Sequence, residues 1–348
     1  MKPILAVLPT ASMAWLAASL PALGQFVVSS TDLHPAGATT SIIYGLTDTL
    51  QVGSATFGQE RASLWTGTAG SWINMNPAGA ISSTMTGISG TQRSGHAYIS
   101  ALGTTHAGIW SGSSPTFVDL HPAGAFDSLA VATIGTQQGG SIKVANTFIQ
   151  HAALWSGTAA SFVDLHPAGS TSSQVFSLSA TQQAGSAIFS GQTQAGIWSG
   201  TAESWISLHP VGAFSSSVYA TTGTQQAGVV DGQAATWTGA AGSWVNLNPA
   251  GASRSTIWAT TGTYQVGFAT FSGVDRAGIW TGTAGSWFDL GPGQARSVFA
   301  SGDTLYIGGQ SGGHATVWTA VVPEPAEWAA IAGLGLLGFG LWRRHTGR

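Results

Sequence analysis

The stretch from Pro210 to Pro249 reads PVGAFSSSVYATTGTQQAGVVDGQAATWTGAAGSWVNLNP, and its pattern indicates the fold of the whole chain. Its apolar runs predict four strands, over Ser217–Thr222, Gln225–Val230, Ala234–Thr238 and Ser243–Leu247. Gly-Thr, Asp-Gly and Gly-Ala-Ala-Gly segments separate these runs, and glycine supplies the positive φ angles that hairpin turns need. Four strands joined by hairpins are the content of one β-propeller blade.

Three landmarks repeat this unit along the chain of 348 residues. A tryptophan recurs at intervals of 38 to 45 residues, at Trp65, Trp110, Trp155, Trp198, Trp237, Trp280 and Trp318. A proline recurs in step, at Pro35, Pro77, Pro122, Pro167, Pro210, Pro249 and Pro292. An aromatic residue lies seven positions after each of the first six tryptophans, at Trp72, Phe117, Phe162, Trp205, Trp244 and Trp287. Because the units are rich in Gly, Ser, Thr and Val, helical repeats are excluded and we predict an all-β, seven-bladed propeller; a β-solenoid is the main alternative.

The two ends of the repeat region predict how the ring closes. After Trp318 the chain reaches Pro325 where a fourth strand with an aromatic residue should lie, so the last unit lacks that strand. A surplus strand, Val27–Leu33, precedes the first unit and matches the fourth-strand ending Phe117–Gly124, although Ser30 stands in the aromatic position. We therefore expect the N-terminal strand to complete the last blade, which removes exposed sheet edges.

The recurrent aromatic residues are predicted to form the core between blades. Burial of one aromatic side chain removes about 150–250 Å² from water, which contributes at most about 4–6 kcal/mol at roughly 25 cal/mol per Å². Their recurrence in each unit is what blade packing requires. The alternative interpretation makes them stacking platforms for sugars on the surface.

Composition limits the class of protein. Only 7% of the residues are charged, the formal net charge is −3, and 49 residues are glycine. A chain with so few basic residues lacks the electrostatic footprint of a nucleic-acid-binding protein. Cysteine is absent, so an exported fold must rely on its hydrophobic core, which about 300 residues can supply.

Both ends of the chain predict targeting segments around a repeat region at residues 25–321. Residues 1–24 are mostly apolar after Met1-Lys2, and the small residues before Gln25 predict a secretory signal peptide cleaved between Gly24 and Gln25. Residues 326–342 form a second apolar run, which as a helix would reach about 25 Å against a hydrocarbon layer of about 30 Å. Arg343 and Arg344 follow it and are expected to stay cytoplasmic.

The last segment, residues 322–348, resembles the PEP-CTERM sorting signal. The motif Val322-Pro323-Glu324-Pro325 precedes the hydrophobic run, and Arg343 and Arg344 come after it, in the order of the three parts of that signal. The resemblance implies a membrane-anchored precursor that is recognised by an exosortase-type processing enzyme and then passed to the cell envelope or extracellular matrix. A plain membrane anchor is the alternative interpretation.

The repeats themselves resemble the extracellular repeats named for a His-Ala-Phe tripeptide. The nearest matches are His151-Ala-Ala-Leu-Trp155 and His314-Ala-Thr-Val-Trp318, with Asp164-Leu165 or Asp119-Leu120 downstream. An aliphatic residue stands where phenylalanine gives that family its name, and the turn reads His-Pro-Ala-Gly. The resemblance implies export and repetition, and it transfers no catalytic residue.

Two polar series recur with the repeats. Histidine precedes the repeat proline at His34, His121, His166 and His209, and Asn76, Asn248 and Gly291 replace it elsewhere. One histidine per blade forms a circle rather than a cluster, so we predict turn or cap roles and no metal site. The second series lies four residues before each tryptophan, at Arg61, His106, His151, Gln194, Gln233, Arg276 and His314. We expect the second series to bridge adjacent blades; a ligand-binding ring is the alternative.

Catalytic groups are not expected at the centre of the ring. The predicted innermost strands are Ser41–Leu46, Ser83–Ile88, Ser128–Ile134, Ser173–Ser179, Ser217–Thr222, Thr256–Thr261 and Ser297–Ser301, and they contain no Asp, Glu, His, Lys or Arg. General acid–base catalysis needs such a group, and glycoside hydrolysis ordinarily needs a pair of carboxylates. Asp48, Asp127 and Asp303 are assigned to turns. We therefore predict no enzyme, no cofactor and no metal.

The function predicted from these observations is that of a non-enzymatic, exported protein of the cell envelope or extracellular matrix, associated with exopolysaccharide or envelope proteins. A carbohydrate- or protein-binding propeller, with its ligand on the face of the His-Pro turns, is the alternative. A hydrolase or lyase of the same fold is a third class, and it would need carboxylates that the predicted inner strands lack.

Overall fold

The computed structural model describes residues 26–322, and this part of the chain forms the seven-bladed, all-β propeller predicted from the repeats. Each blade is an antiparallel sheet of four strands. Blade 1 contains β2 (Thr40–Leu46), β3 (Gln51–Phe57), β4 (Gln59–Trp65) and β5 (Ile73–Asn74). Blade 2 contains β6 (Ala80–Ser89), β7 (Gln92–Ile99), β8 (Thr104–Ser111) and β9 (Phe117–Asp119). Blade 3 contains β10 (Ala125–Ile134), β11 (Gln137–Val144), β12 (Gln150–Trp155) and β13 (Val163–Asp164).

The later blades follow the same order, from the innermost strand outward. Blade 4 contains β14 (Ser172–Leu178), β15 (Gln183–Phe189), β16 (Gln192–Trp198) and β17 (Ile206–Ser207). Blade 5 contains β18 (Ser216–Thr221), β19 (Gln226–Val230), β20 (Gln233–Trp237) and β21 (Val245–Asn246). Blade 6 contains β22 (Arg254–Thr260), β23 (Gln265–Phe271), β24 (Val274–Trp280) and β25 (Phe288–Pro292). Blade 7 contains β26 (Gln294–Ser301), β27 (Thr304–Ser311), β28 (His314–Val321) and β1 (Val27–Asp32). Short 3-10 turns lead into fourth strands at Ala69–Ser71, Ala159–Ser161, Ala202–Ser204, Ala241–Ser243 and Ala284–Ser286.

The N-terminal strand closes the ring, as predicted. β1 pairs with β28, and the backbone amide of Leu33 donates to the carbonyl of Ala315 at 2.8 Å. Leu33 is fully buried in a cluster that includes Ile43 of blade 1 and Val317 of blade 7. Closure therefore rests on both a strand ladder and an apolar contact.

The recurrent tryptophans lie in the core between blades, as predicted. Trp65, Trp110, Trp155, Trp198, Trp237 and Trp280 are 0% exposed, and Trp318 is 3% exposed. Trp110 of blade 2 packs against Leu64 and Met75 of blade 1, and its Nε1 donates to the Met75 carbonyl at 3.0 Å. Each tryptophan of this kind ties its own blade to the preceding one.

The aromatic residues of the fourth strands occupy a different environment, because most are only half-buried and Trp244 is 36% exposed. Trp205 packs against Gly196 of the third strand. A Cβ atom on residue 196 would lie only 2.1 Å from the Cη2 atom of Trp205. Trp198 lies beneath it, with ring centroids 4.5 Å apart. These aromatics cover the tryptophan core from the outer side of a blade.

The predicted targeting segments lie outside the described residues. This holds for the signal peptide, with Gly24 and Gln25, and for Pro323, Glu324, Pro325, the apolar run, Arg343 and Arg344. Within residues 26–322 there is no helix with the length and apolar character needed to cross a membrane.

Candidate functional site

The innermost strands, taken over the described part of the chain, each carry a β-bulge at the same place in the blade. The pairing with the second strand skips one residue there, at Tyr44, Thr86, Val131, Phe176, Tyr219, Trp258 and Arg296. A bulge leaves its residue out of the ladder and re-aims its side chain. Since these strands surround the axis of the propeller, the bulged residues form a ring at the central channel, here called the channel ring.

The channel ring is aromatic on one side. The ring centroids of Phe176 and Tyr219 are 5.1 Å apart, and those of Tyr219 and Trp258 are 4.4 Å apart. The guanidinium carbon of Arg296 lies 4.2 Å from the centroid of the Trp258 ring, which is a cation–π contact. The bulged residues of blades 4 to 7 thus touch one another in sequence, whereas Thr86 and Val131 of blades 2 and 3 are small.

Burial and charge both act on the polar members of the channel ring. Burial raises the pKa of the Tyr44 and Tyr219 hydroxyls, and the positive charge of Arg296 offsets part of that rise. Burial also lowers the pKa of the Arg296 guanidinium, although an arginine side chain stays protonated in proteins. The channel ring therefore presents a fixed positive charge beside neutral aromatic faces.

The prediction that the innermost strands lack charged residues is wrong. These strands begin two or three residues earlier than predicted in blades 3, 6 and 7, and so include Asp127, Arg254 and Arg296. In blades 3 and 7 a bulge lets the ladder continue past an unpaired residue, whereas in blade 6 the regular pairing itself extends to Arg254, opposite Thr270. Asp127 is therefore a strand residue, and it accepts from the Thr105 amide at 2.8 Å and from Lys143 at 3.3 Å. Asp48 and Asp303 do lie in hairpin connections, as predicted.

The His-Pro histidines cap their turns, as predicted, and also join neighbouring blades. His121 Nε2 lies 3.2 Å from the Ala125 carbonyl, which closes the turn, and Nδ1 lies 2.9 Å from Ser128 Oγ. Ser128 Oγ in turn accepts the backbone amide of Ala107 in the preceding blade at 2.8 Å. This histidine–serine–amide arrangement is here called the serine clasp.

The serine clasp recurs between other blades, and its histidine and serine positions change together. Asn248 makes the same two bonds as histidine, with Ser255 at 2.6 Å and with the Ala252 carbonyl at 3.1 Å. Between blades 6 and 7 the histidine position is Gly291, and the serine position is Gly293. The two members of the clasp are therefore lost together, as expected if each is useful only with the other.

The second polar series does not bridge adjacent blades, so that prediction is wrong. Six of its seven members bond to the fourth strand of their own blade: His106 to Asp119 at 2.7 Å, His151 to Asp164 at 2.7 Å, Gln194 to Ser207 at 3.3 Å, Gln233 to Asn246 at 2.5 Å, Arg276 to Asp289, and His314 to Asp32 at 2.8 Å. The fourth strand lies directly beside the third, and so it offers the nearer acceptor. The bond between blades comes one residue later, from the backbone amide that enters the serine clasp.

Histidines of the two series stack on each other at the blade edges. The ring centroids of His106 and His121 are 3.9 Å apart, and those of His151 and His166 are 3.8 Å apart. Burial lowers the pKa of His121 and of His166, and the stacked partner lowers each further. A neutral ring suits the clasp, because Nδ1 can then accept from the serine hydroxyl while Nε2 donates to the turn carbonyl.

Glutamines form a contact between blades that sequence reasoning missed. Gln182 Oε1 accepts from Thr221 Oγ1 at 2.8 Å and from Gln226 Nε2 at 2.9 Å, both in the next blade. Gln226 Oε1 then accepts the amide of Gly239 in its own blade at 2.8 Å. The Thr-Gln-Gln triplet that recurs along the chain was the signal in the sequence for this contact. Its first glutamine, as at Gln182, accepts from the next blade, and its second, as at Gln226, accepts from its own blade.

Replacement of Ser128 by alanine tests the serine clasp. The change leaves the Ala107 amide and His121 Nδ1 without their partner, so we expect the free energy of unfolding to fall by roughly 1–3 kcal/mol. Denaturant unfolding measures this loss. Ser113→Ala, at an exposed position, is the matched control and should change stability by no more than about 0.5 kcal/mol. Equal effects of the two changes would contradict the clasp.

Two adjoining cavities lie over blades 1 to 3. One, of about 230 Å³, is lined by residues that include Glu60, His96 and Tyr98; the other, of about 190 Å³, includes Asp127 and Lys143. Burial lowers the pKa of His96, and Glu60 accepts from Ser54 Oγ at 2.6 Å. Within residues 26–322, no group of three or more His, Asp or Glu side chains converges as a metal site.

Comparisons with known proteins identify the fold only. The sequence matches no protein-family model and no curated protein. Among solved structures, a prolyl endopeptidase is 12% identical with a TM-score of 0.52, and the match covers 82% of this chain and 50% of that chain. A puromycin-hydrolysing peptidase of Mycobacterium tuberculosis is 13% identical with a TM-score of 0.50, and the match covers 82% and 52%. The β-propeller domain of Myceliophteria thermophila Cps50 (Swd1) is 10% identical with a TM-score of 0.47 over 83% and 99%.

The chain spans about half the length of the two peptidases that it matches. At such low identity the likeness establishes the β-propeller fold and does not extend to activity. The function of this chain therefore has to be inferred from its own residues.

Proposed function

We propose that this chain is a non-enzymatic protein of the cell envelope or extracellular matrix, exported and sorted by an exosortase-type enzyme. The observation that carries the proposal is the use of the recurrent polar side chains within the scaffold. His121 contacts its own turn and the serine of the clasp through its two ring nitrogens, and His106 contacts Asp119 through Nδ1 and Thr104 through Nε2. Side chains whose polar atoms are committed in this way are not free for acid–base chemistry on a substrate.

The sorting part of the proposal depends on the tail. Pro323-Glu324-Pro325, which lies outside the described residues, is the motif that the processing enzyme is proposed to recognise, by its resemblance to the sorting signal. We expect the exported protein to end near Pro325, as measured by mass spectrometry of the envelope fraction. Glu324→Ala is expected to leave the precursor in the membrane at full length. An exported wild-type protein that still ends at Arg348 would mean a plain anchor and would contradict the sorting proposal.

A second candidate, a carbohydrate- or protein-binding propeller, is favoured by the channel ring. The scaffold positions repeat as His, Ser and Gln, whereas the bulged positions differ from blade to blade and gather aromatic side chains on one side. Aromatic surface with a few polar groups is typical of ligand sites. The supporting feature thus lies at the channel and not, as first expected, at the His-Pro turns. A glycan array probed with the exported protein tests this candidate.

A further inference from the structure

Three of the boundaries between blades carry two histidine rings that stack face to face. The ring centroids of each pair are 3.8 or 3.9 Å apart and the ring planes differ by 8° or 9°, for His34 with His314, His106 with His121, and His151 with His166. In each pair one histidine belongs to the serine clasp and the other to the second polar series. One pair lies at the closure between blades 7 and 1, and the others lie between blades 2 and 3 and between blades 3 and 4.

Each stacked pair has one carboxylate at bonding distance, and that carboxylate contacts the histidine of the second polar series. The distances are 2.7 Å for His106 and Asp119, 2.7 Å for His151 and Asp164, and 2.8 Å for His314 and Asp32. Within residues 26–322 no lysine or arginine forms an ion pair with these three aspartates. Asp127 also acts on His121, but it already pairs with Lys143. A stacked pair can therefore hold one proton as an ion pair, whereas a second proton would place two cations beside one anion.

The serine clasp opposes the second proton as well. Ser128 Oγ accepts the Ala107 amide, and its own hydroxyl hydrogen goes to Nδ1 of a neutral His121, whose Nε2 donates to the turn carbonyl. A protonated ring donates from both nitrogens, so the hydroxyl hydrogen of Ser128 loses its acceptor. Ser128 is 0% exposed, and the equivalent Ser41 and Ser173 are 3% and 2% exposed, so water cannot take the place of the lost acceptor without opening the boundary.

The proton balance of the clasp histidines gives the direction of the effect of pH. Burial lowers the pKa of His121 and His166, the stacked partner lowers it further, and the turn carbonyl and nearby carboxylates offset part of the fall. An unfolded chain, with a histidine pKa of about 6.5, therefore binds the proton more tightly than the folded chain. The stability that the neutral rings contribute is complete above about pH 6.5 and is lost as the pH falls through the folded-state pKa. Carboxylates ordinarily titrate below about pH 4.5, outside this window.

We propose that the stacked histidine pairs form an acid-sensitive switch of the propeller ring. Acidification adds the second proton to each pair, breaks the serine clasp, and loosens the boundaries between blades 7 and 1, 2 and 3, and 3 and 4. The boundaries between blades 1 and 2 and between blades 5 and 6 stay closed, because Asn76 and Asn248 hold those clasps and do not titrate. Since one switch lies at the closure of the ring, acid also loosens β1 from blade 7.

Hydrogen exchange of the wild-type protein tests the switch with a control inside the same molecule. The backbone amides of Ala315, Ala107 and Ala152 donate to the serines of the clasps with stacked histidines, and those of Ala62 and Ala234 donate to the serines of the asparagine clasps. Between about pH 7 and about pH 5 we expect protection factors, corrected for the intrinsic effect of pH, to fall by roughly tenfold or more at the first three amides and to change little at the other two. An equal fall at both groups, or no fall at either, would overturn the proposal.

Asparagine supplies the matched variant, because the fold already uses it in the clasp. In the triple variant His34→Asn, His121→Asn, His166→Asn the clasp bonds can form as they do at the asparagine boundaries, and the stacked imidazole is gone. From about pH 7 to about pH 5 we expect the melting temperature of the wild type to fall by roughly 5 °C or more, and that of the triple variant by less than half as much. His96 titrates in both proteins and so cancels from the comparison. Equal falls in the two proteins would contradict the switch.

His209 isolates the contribution of stacking, because it forms a serine clasp with Ser216 but its neighbour in the second polar series is Gln194 and not a histidine. The single variant His209→Asn should therefore reduce the fall of the melting temperature with acid by less than His121→Asn does. Equal reductions in the two single variants would show that the clasp histidine alone is responsible, and the stacked pair would have no part in the switch.

Discussion

Deletion of residues 25–36 is expected to lower the free energy of unfolding of the entire propeller by at least about 3–5 kcal/mol. The deletion removes β1, exposes the edge of β28, and takes the fully buried Leu33 from its cluster with Ile43 and Val317. Loss of one large aliphatic side chain from a core alone costs about 2–5 kcal/mol. Lost as well are the Leu33 amide bond to Ala315 and the His314–Asp32 pair.

Denaturant unfolding of the deleted protein measures this loss, with a protein that begins at Gln25 as the control. A peptide of residues 26–37, added in excess, should restore part of the stability, because binding to the folded state alone shifts the equilibrium toward it. The open β28 edge should also promote aggregation. Unchanged unfolding of the deleted protein would show that closure by β1 contributes little.

Trp110→Ala is expected to lower the free energy of unfolding by about 3–5 kcal/mol, the range for removing a large aromatic side chain from a core. Trp110 is 0% exposed, lies between blades 1 and 2, and donates to the Met75 carbonyl. The change therefore leaves both a cavity and an unpaired carbonyl. Because blades stabilise each other through such contacts, unfolding should begin at this boundary.

Trp244→Ala is the matched control, since it deletes the same side chain at a position that is 36% exposed. Its expected cost is about 1 kcal/mol or less. Hydrogen exchange should show early loss of protection in blades 1 and 2 for Trp110→Ala and not for the control. Equal losses of stability in the two variants would contradict the distinction between the interblade and outer aromatic residues.

The repeat pattern predicted most of the fold because the blade is encoded locally. In Pro210–Pro249, turn glycines and apolar runs placed the strands within two residues of the observed β18, β19 and β20, and only the fourth strand was shorter than expected. The closing strand was also predictable, because a surplus strand before the first unit matched the fourth strand that the last unit lacks. Both inferences need only the order of residues along the chain.

The candidate site was less predictable, because its residues come together through small departures from regular pairing. Arg296 precedes the predicted start of its strand, and only the bulge after Ala295 places it in the channel ring beside Trp258. The bridging role predicted for the second polar series was wrong for a similar reason. The spacing identified its members, but whether they bond to the fourth strand or to the next blade depends on distances across the sheet.

The amino-acid sequence by itself determined the number of blades, the strand order within a blade and the strand that closes the ring, because turn chemistry and apolar periodicity act between near neighbours. Tertiary structure alone decided which partners the polar side chains take and which residues surround the channel. Tyr219, Trp258 and Arg296 lie about 40 residues apart along the chain, and they meet only because each blade bulges at the same point around a common axis.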